Sequence, residues 1–580
     1  MNEKNYFLKP NSTAQKQYEA LRAYFVDNIS AAETAKKNGY TLRAFTSLVA
    51  DFRKKRRNNP DNEIFFQVKK PGRKIEKKDS SIISKVISLR KAYLSVPDIK
   101  VVLNGKNIEI SEKKIYLILK DEGFARLPRR SKKAKQESSF SKIVPEKSSP
   151  LQLKSDDTFS SNSIGIMLFW PIIRKFGIDA VIENSAYPAT TTISKFSSIM
   201  SFLALKLSNI RRYSADDIWC MDRGQGFFAQ LNVLPKNAWF SSYSHRIRKE
   251  DNLAFLRELH KLWIENGLLG DTINLDFTTI PYWGDNGHLE NNWSGKRRHA
   301  LSSMLAVLAQ DPDSGIIDYG DADIVHKNES AVVLEFLDFY RESKKKKDLE
   351  YLVFDSKFTN YQNLSKLDDE NIKFVTIRRR GKKIVDEVNN FPASKWVKKR
   401  VPCAGNKVRN LRVNDSILLL KGYDKKIRQI AITGHGKIKP ALIITNDFEL
   451  KTEDVVRKYT KRWIVEKSIS EQIDFFHLNR VSSSMVIKVD FDLTMTILAH
   501  NLYRLLADKL DRYSHYSDIK IYEQFIMNSG EINIFNDQVH VMLKKKKNLP
   551  LVLSIMEEFS SVKYPWLKNR TLEFRGMSNS

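Results

Sequence analysis

The chain is poor in cysteine and has no long hydrophobic run. Among its 580 residues only Cys220 and Cys403 are cysteines, so a disulfide framework and a zinc site built on paired cysteines are both excluded. The longest apolar run, residues 164–173, is too short to cross a bilayer and contains Pro171. Residues 1–40 are polar and charged, unlike a signal peptide. We therefore expect a soluble cytoplasmic protein with no membrane partner.

The chain also has fewer acidic than basic residues. Lys and Arg together number 98 against 68 Asp and Glu, which gives a formal net charge of +30. An enzyme of small metabolites has no need of such an excess, whereas a polyanionic partner attracts it. The length implies several domains, and 42% hydrophobic residues are enough to form their cores. The composition therefore indicates a multidomain protein with a polyanionic partner.

The first residues show a pattern typical of a helix-turn-helix. Three short helices are predicted between residues 14 and 53, and Thr41 is placed to cap the third. Ala31, Ala32 and Ala35 are small enough for two helices to cross closely. The third helix continues into a basic run that would lie against phosphates in a major groove: Arg53, Lys54, Lys55, Arg56 and Arg57. A helical hairpin with a solvated basic tail explains this segment nearly as well.

A second unit of the same kind follows at residues 80–130. Helices are predicted at 82–93, 96–103 and 112–121, with Ser111 as a cap. Arg129 and Arg130 follow the last helix, and the linker between the two units carries Lys69, Lys70 and Arg73, which suit an arm in a minor groove. Two such units in tandem predict binding to duplex DNA.

The rest of the chain divides by composition and periodicity. Residues 131–161 are rich in Ser and Lys and are predicted to be a flexible linker, and residues 162–268 show apolar spacing typical of buried helices. The predicted segments are a first helix-turn-helix unit at 1–62, a basic linker at 63–79, a second unit at 80–130, the linker at 131–161, a helical region at 162–268, an α/β core at 269–378 and 440–510, a β-rich insertion at 379–439, and a C-terminal region at 511–580.

Two apolar strands in the α/β region are each predicted to end in an aspartate. Residues 272–276 end at Asp276, and residues 351–355 end at Asp355. Between them, residues 302–310 and 315–319 are expected to form an antiparallel pair, followed by a helix at 329–344. This alternation predicts that Asp276 and Asp355 lie on neighbouring strands. Each aspartate also has a plainer interpretation, as a turn cap for Asp276 and as the cap of a helix near Asn360 for Asp355.

A later helix places three polar residues on one face. Tyr459, Arg462 and Glu466 recur at steps of three and four, beside an apolar face that includes Trp463 and Ile473. An arginine and a glutamate at this spacing are most often an exposed ion pair. The two upstream aspartates and the basic N-terminal region favour a functional interpretation instead.

Three motifs resemble those of one known family. LDFTTIPYWG surrounds Asp276, FDSKFTNYQNLSKL surrounds Asp355, and YTKRWIVE ends at Glu466. The chain resembles bacterial insertion-sequence transposases of the DDE type, in the branch with a Tyr-x-x-Arg-x-x-x-Glu signature. The resemblance implies a ribonuclease H-like core, interrupted by a largely β insertion. One residue departs from the signature, since Ile473 stands where the family has lysine.

The resemblance also implies a chemistry. Asp276, Asp355 and Glu466 would hold two Mg²⁺ ions, with Mn²⁺ as the alternative, because hard cations prefer carboxylate oxygens. A metal-activated water would cut one strand, and the freed 3′-hydroxyl would then attack target DNA. Arg462 would face a phosphate and orient Glu466, and Tyr459 would contact the same strand. The implied partners are double-stranded DNA, as transposon ends and as target, and a second copy of the chain in a homodimer, near the bacterial nucleoid.

Other interpretations stay open at this point. The basic runs at 378–383 and 395–400 are either solvated loops or a surface that holds the transposon end, with Trp396 available to stack on an unpaired base. A non-catalytic DNA-binding descendant of a transposase would keep the front helices and lose the carboxylates. A metal-dependent nuclease would share the metal site but lack strand transfer.

Overall fold

The structure is a computed structural model of the 580-residue chain. It describes residues 12–58, 65, 80–91, 94–105, 108–124, 147–210, 218–281, 289–294, 299–342, 349–403, 407–436, 439–478 and 486–578. The side chains of residues 463–473 lie outside the description, although their backbone is helical. The chain divides into two compact units, Met1–Arg90 and Lys91–Ser580.

The described part of the first unit is helical. Its helices are α1 (Thr13–Phe25), α2 (Ala31–Lys37), α3 (Leu42–Asn58) and α4 (Ser80–Lys91). As predicted, Thr41 caps the third helix, because its hydroxyl accepts a hydrogen bond from the Ala44 backbone N–H at 3.2 Å. Ala20, Ala35 and Phe45 are fully or almost fully buried between the helices. The predicted helices are therefore present, and their assignment as a DNA-binding helix-turn-helix stays a prediction.

The second unit opens with two short helices, α5 (Val96–Asn104) and α6 (Glu112–Asp121). Ser95 and Asp98 form a reciprocal capping box at the start of α5, and Ser111 caps α6 as predicted. The basic residues of the predicted linker, Lys69, Lys70 and Arg73, lie outside the described residues. So do Arg129 and Arg130, which follow α6 in the sequence.

Residues 162–268, which the sequence pattern predicts to be helical, contain a series of short helices. A 3₁₀ turn (Ile164–Leu168) leads into α7 (Phe169–Lys175), α8 (Ile178–Asn184), α9 (Lys195–Leu207), α10 (Arg223–Phe228), α11 (Asn237–Tyr243) and α12 (Lys249–Glu265). Their apolar side chains are buried, with Trp170, Trp263 and Tyr243 among the largest. These helices contribute much of the main hydrophobic core.

A ten-stranded sheet follows. Its strands are β2 (Thr272–Pro281), β3 (Asn291–Ser294), β4 (His299–Gln310), β5 (Ile317–Ile324), β6 (Tyr351–Phe354), β7 (Lys373–Ile377), β8 (Val397–Cys403), β9 (Lys407–Leu419), β10 (Lys426–Thr433) and β11 (Ala441–Thr445). The order is β3-β4-β2-β6-β7-β11-β10-β9-β8, and β5 also pairs with β4. β2, β6 and β7 are mutually parallel, whereas the other neighbours are antiparallel. The mixed sheet confirms an α/β core, and its ribonuclease H-like identity stays a prediction.

One predicted strand end is wrong. The sequence pattern ended the first strand at Asp276, but β2 continues through Pro281. The continuation pairs with β4 from Asp276 opposite Leu308 to Pro281 opposite Ser303. Thr278, Thr279 and Ile280 are β-branched residues, which favour an extended chain packed in a sheet. Asp276 therefore lies in the middle of a strand rather than at its end.

The predicted β-rich insertion is also partly helical. It begins with α15 (Lys382–Asn389), and β8, β9 and β10 then extend the same sheet beyond β11. Val388, Ala431 and Leu442 form a small core there, with Trp396 packed against it. The insertion thus continues the central sheet instead of standing apart from it.

Helices cover both faces of the central strands. α16 (Thr452–Phe475) packs through Val455, Val456 and Tyr459 onto a buried cluster that includes Val353 and Val375. The opposite face packs against α13 (Val332–Glu342), α14 (Tyr361–Asp369) and α17 (Val486–Lys509) as part of the main core. Among the described residues, no helix combines the length and apolar character needed to cross a bilayer.

The C-terminal region forms a second, five-stranded sheet. Its elements are α18 (Asp518–Ile521), β12 (Gly530–Ile534), β13 (Gln538–Leu543), α19 (Leu549–Glu557), β14 (Lys563–Tyr564) and β15 (Arg570–Gly576). The first strand, β1 (Asp157–Ser161), pairs with β12. Since β1 lies in the predicted linker 131–161, that linker is too long at its C-terminal end. The strand depends on this distant pairing, with only Phe159 and Ser161 turned inward.

Asp490 in α17 is a buried carboxyl with neutral hydrogen-bond partners. Its Oδ2 accepts a hydrogen bond from Asn252 Nδ2 at 2.7 Å, and its Oδ1 accepts one from the Ala322 backbone N–H at 3.3 Å. Burial, assisted by the nearby Asp321 carboxylate, raises the pKa of Asp490 to about 6. Because the unfolded pKa is about 3.9, ionising Asp490 removes folding stability as pH rises from about 4 to about 6.

Replacing this carboxyl is expected to change the pH dependence of stability. In Asp490→Asn no group ionises at this position. The free energy of unfolding of the variant should therefore rise relative to that of the wild type by about 1–3 kcal/mol between about pH 4 and about pH 7. Differential scanning calorimetry at a series of pH values measures the shift in Tm. For Asp386→Asn, at an exposed position of α15, the difference in Tm from the wild type should be the same at every pH. A constant difference for Asp490→Asn would contradict the expectation.

Candidate active site

Asp276 and Asp355 occupy neighbouring positions of two paired parallel strands. The β2–β6 register pairs Leu275 with Phe354, and each aspartate is the next residue of its chain. Paired strands lie about 4.8 Å apart, so the two backbones are adjacent at this point. Asp276 is buried, whereas Asp355, directly after β6, is half-buried. The structure therefore brings together the two aspartates that the sequence pattern selected.

Arg462 in α16 forms a buried ion pair with Asp276. Its Nη1 donates to Asp276 Oδ2 at 2.9 Å, and the two side chains are only 3% and 9% exposed. The other carboxylate oxygen of Asp276 accepts a hydrogen bond from the Phe277 backbone N–H at 2.8 Å. The family resemblance implied a different role for Arg462, facing a phosphate and orienting Glu466. The contact with Asp276 had no signal in the sequence, because it joins residues that are far apart in the chain.

The other two residues of the helical motif lie on the same helix. Tyr459 is buried in the cluster beneath the sheet, and the Arg462 guanidinium lies 5.2 Å from the centre of its ring. Glu466 follows Arg462 by one helical turn, and its side chain lies outside the described residues. The predicted third carboxylate is thus on the helix that carries Arg462.

A basic cavity of about 340 Å³ adjoins Asp355 and Arg462. It is bounded by the ends of β6, β7 and β11, by strands β9 and β10, and by α16. Among the described residues, its charged lining comprises five arginines and one carboxylate: Arg378, Arg379, Arg380, Arg409, Arg462 and Asp355. His435 and Tyr459 also line it. Such an excess of guanidinium groups suits an anionic ligand, since arginine donates in a planar fork to phosphate oxygens.

The remaining predicted DNA-binding residues lie elsewhere. The basic run from Arg53 to Arg57 is exposed at the end of α3. Trp396 is half-buried and packs on Phe391, with ring centres 6.2 Å apart. It is not among the described residues that line the cavity. Base stacking by Trp396 therefore stays a prediction and has no support from the cavity.

Several neighbouring acidic residues have structural partners instead. Asp311 accepts hydrogen bonds from the backbone N–H groups of its own turn, Asp318 pairs with His260 at 2.7 Å, and Asp321 pairs with Lys249 at 2.8 Å. Glu453, near the start of α16, pairs with Lys399 at 2.8 Å. These contacts give each of these acidic residues a structural role. Of the two selected aspartates, Asp355 lines the cavity, whereas Asp276 pairs with the lining residue Arg462.

The donor chemistry of this site suits a hard divalent cation. Asp276 and Asp355 offer carboxylate oxygens from adjacent strands, and a third carboxylate, Glu466, is carried by the helix above. Among the side chains that the structure describes, no cluster of three or more His, Cys, Asp or Glu residues is arranged to hold a metal ion. The Glu466 side chain is not among those described.

Comparison with known proteins agrees with the site's position. Residues 270–502 match the family model described as "Transposase DDE domain". This range begins just before β2 and ends within α17, so it contains Asp276, Asp355 and Arg462. The match agrees with the transposase domain that the three motifs predicted for this region. The bacterial insertion-sequence branch and the Tyr-x-x-Arg-x-x-x-Glu signature stay predictions.

Other comparisons add little. The chain is similar to the piggyBac transposase in a synaptic complex with hairpin DNA, solved by cryo-electron microscopy, at 10% sequence identity and a TM-score of 0.34. The likeness covers 68% of this chain and 81% of that one. At this level it supports no conclusion about fold or function. No curated protein matches the chain.

Proposed function

We propose that this chain is a DNA transposase that binds terminal inverted repeats and carries out metal-dependent strand cleavage and strand transfer. The observation that supports the proposal is that Asp276 and Asp355 each follow the last paired residues of two parallel strands, within the region that matches the transposase domain. Asp276, Asp355 and Glu466 are the residues proposed to hold Mg²⁺ or Mn²⁺. When bound, a pair of such ions stabilises the charge on the attacking and leaving oxygens of a phosphodiester.

Arg462 has two roles in this proposal. It neutralises Asp276 inside the protein, where an unpaired carboxylate would be costly. The same side chain lines the cavity, so its charge also faces the space where a DNA phosphate would lie. Tyr459, one turn earlier in α16, forms part of the cavity wall and is proposed to contact the DNA strand to which that phosphate belongs.

DNA is proposed to contact both units of the chain. The five arginines of the cavity would hold phosphates of the strand being cut, next to Asp355. The exposed basic run at Arg53–Arg57 would hold the transposon end elsewhere on the duplex. Coupled action on two ends implies a homodimer in the DNA complex, as the family resemblance suggests.

The test is an assay of cleavage and joining on a DNA fragment that carries the element's own ends. The protein with Mg²⁺ is expected to cut at the ends and to join the freed 3′-hydroxyl to a target plasmid, and chelation of the metal should stop both. Cutting without joining would favour a metal-dependent nuclease. Binding of the ends with neither reaction would favour a non-catalytic DNA-binding protein.

The cavity arginines are expected to contribute to DNA affinity through charge. Arg409→Ala removes a cavity guanidinium on β9 and should weaken binding about two- to tenfold, while lowering the slope of log affinity against log salt by about one. Fluorescence anisotropy with labelled ends, at several salt concentrations, measures both quantities. Arg412→Ala, at an exposed position of the same strand outside the cavity lining, is the matched control. Equal effects of the two substitutions would argue against a DNA site in the cavity.

A further inference from the structure

The segment after Asp355 is a tight turn whose position fixes that carboxylate. Asp355 Oδ1 accepts a hydrogen bond from the Ser356 backbone N–H at 2.7 Å. The Asp355 carbonyl accepts one from the Phe358 N–H at 3.1 Å, and the Ser356 carbonyl accepts one from the Thr359 N–H at 3.2 Å. Any movement of the turn therefore moves the Asp355 side chain.

The far end of this turn is anchored in the protein interior. Thr359 Oγ1 lies 2.9 Å from Thr376 Oγ1, and both residues are buried. The Phe358 ring is stacked on Phe277, with ring centres 3.9 Å apart and planes inclined by 2°. Since Phe277 follows Asp276, this stack connects the turn to the strand that carries the other aspartate. Phe358 and Thr359 are thus fixed by packing.

The near end, next to Asp355, is held by an arginine at the rim of the cavity. Arg379 Nε donates to the Ser356 carbonyl at 2.9 Å, and Arg379 Nη2 donates to the Lys357 carbonyl at 3.0 Å. One guanidinium thus binds two consecutive carbonyls of the turn, a fork geometry that lysine lacks. Arg379 comes shortly after β7, so a rigid strand of the sheet positions it.

We infer that Arg379 is a positioning residue for Asp355. It acts through the carbonyls of Ser356 and Lys357 and holds the carboxylate at the place where, under the function proposed above, a metal ion is bound. A carboxylate ligand has to be fixed within a fraction of an ångström to serve a metal site, and loss of such support weakens metal binding. Because the Arg379 guanidinium is exposed, water can replace part of its hydrogen bonds to the turn. We therefore expect its removal to loosen the turn moderately.

The first test measures the turn directly and does not depend on any activity. In hydrogen–deuterium exchange, the N–H groups of residues 356–359 in Arg379→Ala are expected to exchange about five- to tenfold faster than in the wild type. Arg379→Lys should recover part of the protection. Arg380→Ala is the control, because Arg380 lines the same cavity but contacts the Pro440 carbonyl instead of the turn. Unchanged exchange in Arg379→Ala would overturn the inference.

The second test asks whether the turn matters for the metal. Arg379→Ala is expected to bind Mn²⁺ about three- to tenfold more weakly, by titration calorimetry without DNA, and to need correspondingly more Mg²⁺ for half-maximal cleavage. Arg412→Ala, at an exposed position of β9 outside the described cavity lining, should leave the Mn²⁺ affinity and the Mg²⁺ requirement as in the wild type. Equal Mn²⁺ affinities for Arg379→Ala and wild type would overturn the positioning role. A wild-type protein that binds Mn²⁺ but cuts no DNA would overturn the proposed function alone, and the Mn²⁺ comparison would then decide the inference by itself.

Discussion

Asp355→Asn is expected to lower DNA cleavage by about three orders of magnitude or more while leaving DNA binding and thermal stability nearly unchanged. The loss would follow from removing one of the carboxylates proposed to hold metal ions, which would supply several kcal/mol of transition-state stabilisation. Stability should persist because Asp355 is half-buried and its Oδ1 contact with the Ser356 N–H can be made equally by an amide oxygen. Single-turnover cleavage of labelled transposon ends measures the effect.

Asp355 is a cleaner probe of catalysis than Asp276. Replacing Asp276 would also leave the buried Arg462 charge without its partner, so a loss of activity would be mixed with a loss of stability. Asp386→Asn is the matched control for Asp355→Asn, since it makes the same chemical change at an exposed position of α15. Cleavage by Asp355→Asn at a rate near that of the wild type would remove Asp355 from the proposed mechanism.

The second large effect concerns stability. Arg462→Met keeps much of the side-chain volume but leaves Asp276 buried without its counter-charge, and should destabilise the second unit by about 3–5 kcal/mol. The double variant Asp276→Asn/Arg462→Met should recover part of this loss, because no unpaired charge remains. Urea unfolding followed by tryptophan fluorescence measures the change in midpoint.

A matched arginine on the same helix provides the control. Arg457 pairs with Asp454 on the exposed side of α16, with side chains 56% and 35% exposed. Arg457→Met should therefore cost about 1 kcal/mol or less. If Arg462→Met destabilised the protein no more than Arg457→Met, the buried pair would have no special structural role.

Much of the sheet followed from local patterns. The apolar runs at 351–354, 373–377 and 441–445 are fully or largely buried strands, and such runs bounded by polar residues give a strong signal. The sequence pattern placed Asp355 at the end of its strand, and the structure places it one residue beyond β6, which ends at Phe354. Asp276 was placed on the right strand but at the wrong point, since the strand continues through polar threonines that pair with β4.

What the sequence did not predict depends on contacts between distant residues. The Arg462–Asp276 pair, the Arg379 contacts with the Asp355 turn and the pairing of β1 with β12 all join segments that are separate in the chain. The spacing of apolar residues along the chain does not predict such contacts. Trp396 was selected for base stacking because it lies in a basic run of the sequence. Its packing on Phe391 could not be predicted from that run.

The measurement that tests the central claim most directly is rescue of a cysteine variant by a change of metal. Asp355→Cys places a thiolate where a carboxylate is proposed to bind the ion, and Mn²⁺ accepts sulfur ligands more readily than Mg²⁺ does. Cleavage of the element's ends by this variant is expected to be lost with Mg²⁺ and restored in substantial part with Mn²⁺, whereas Asp355→Ala stays inactive with both. Cleavage by Asp355→Cys at the wild-type rate in both metals would show that this residue does not bind the ion.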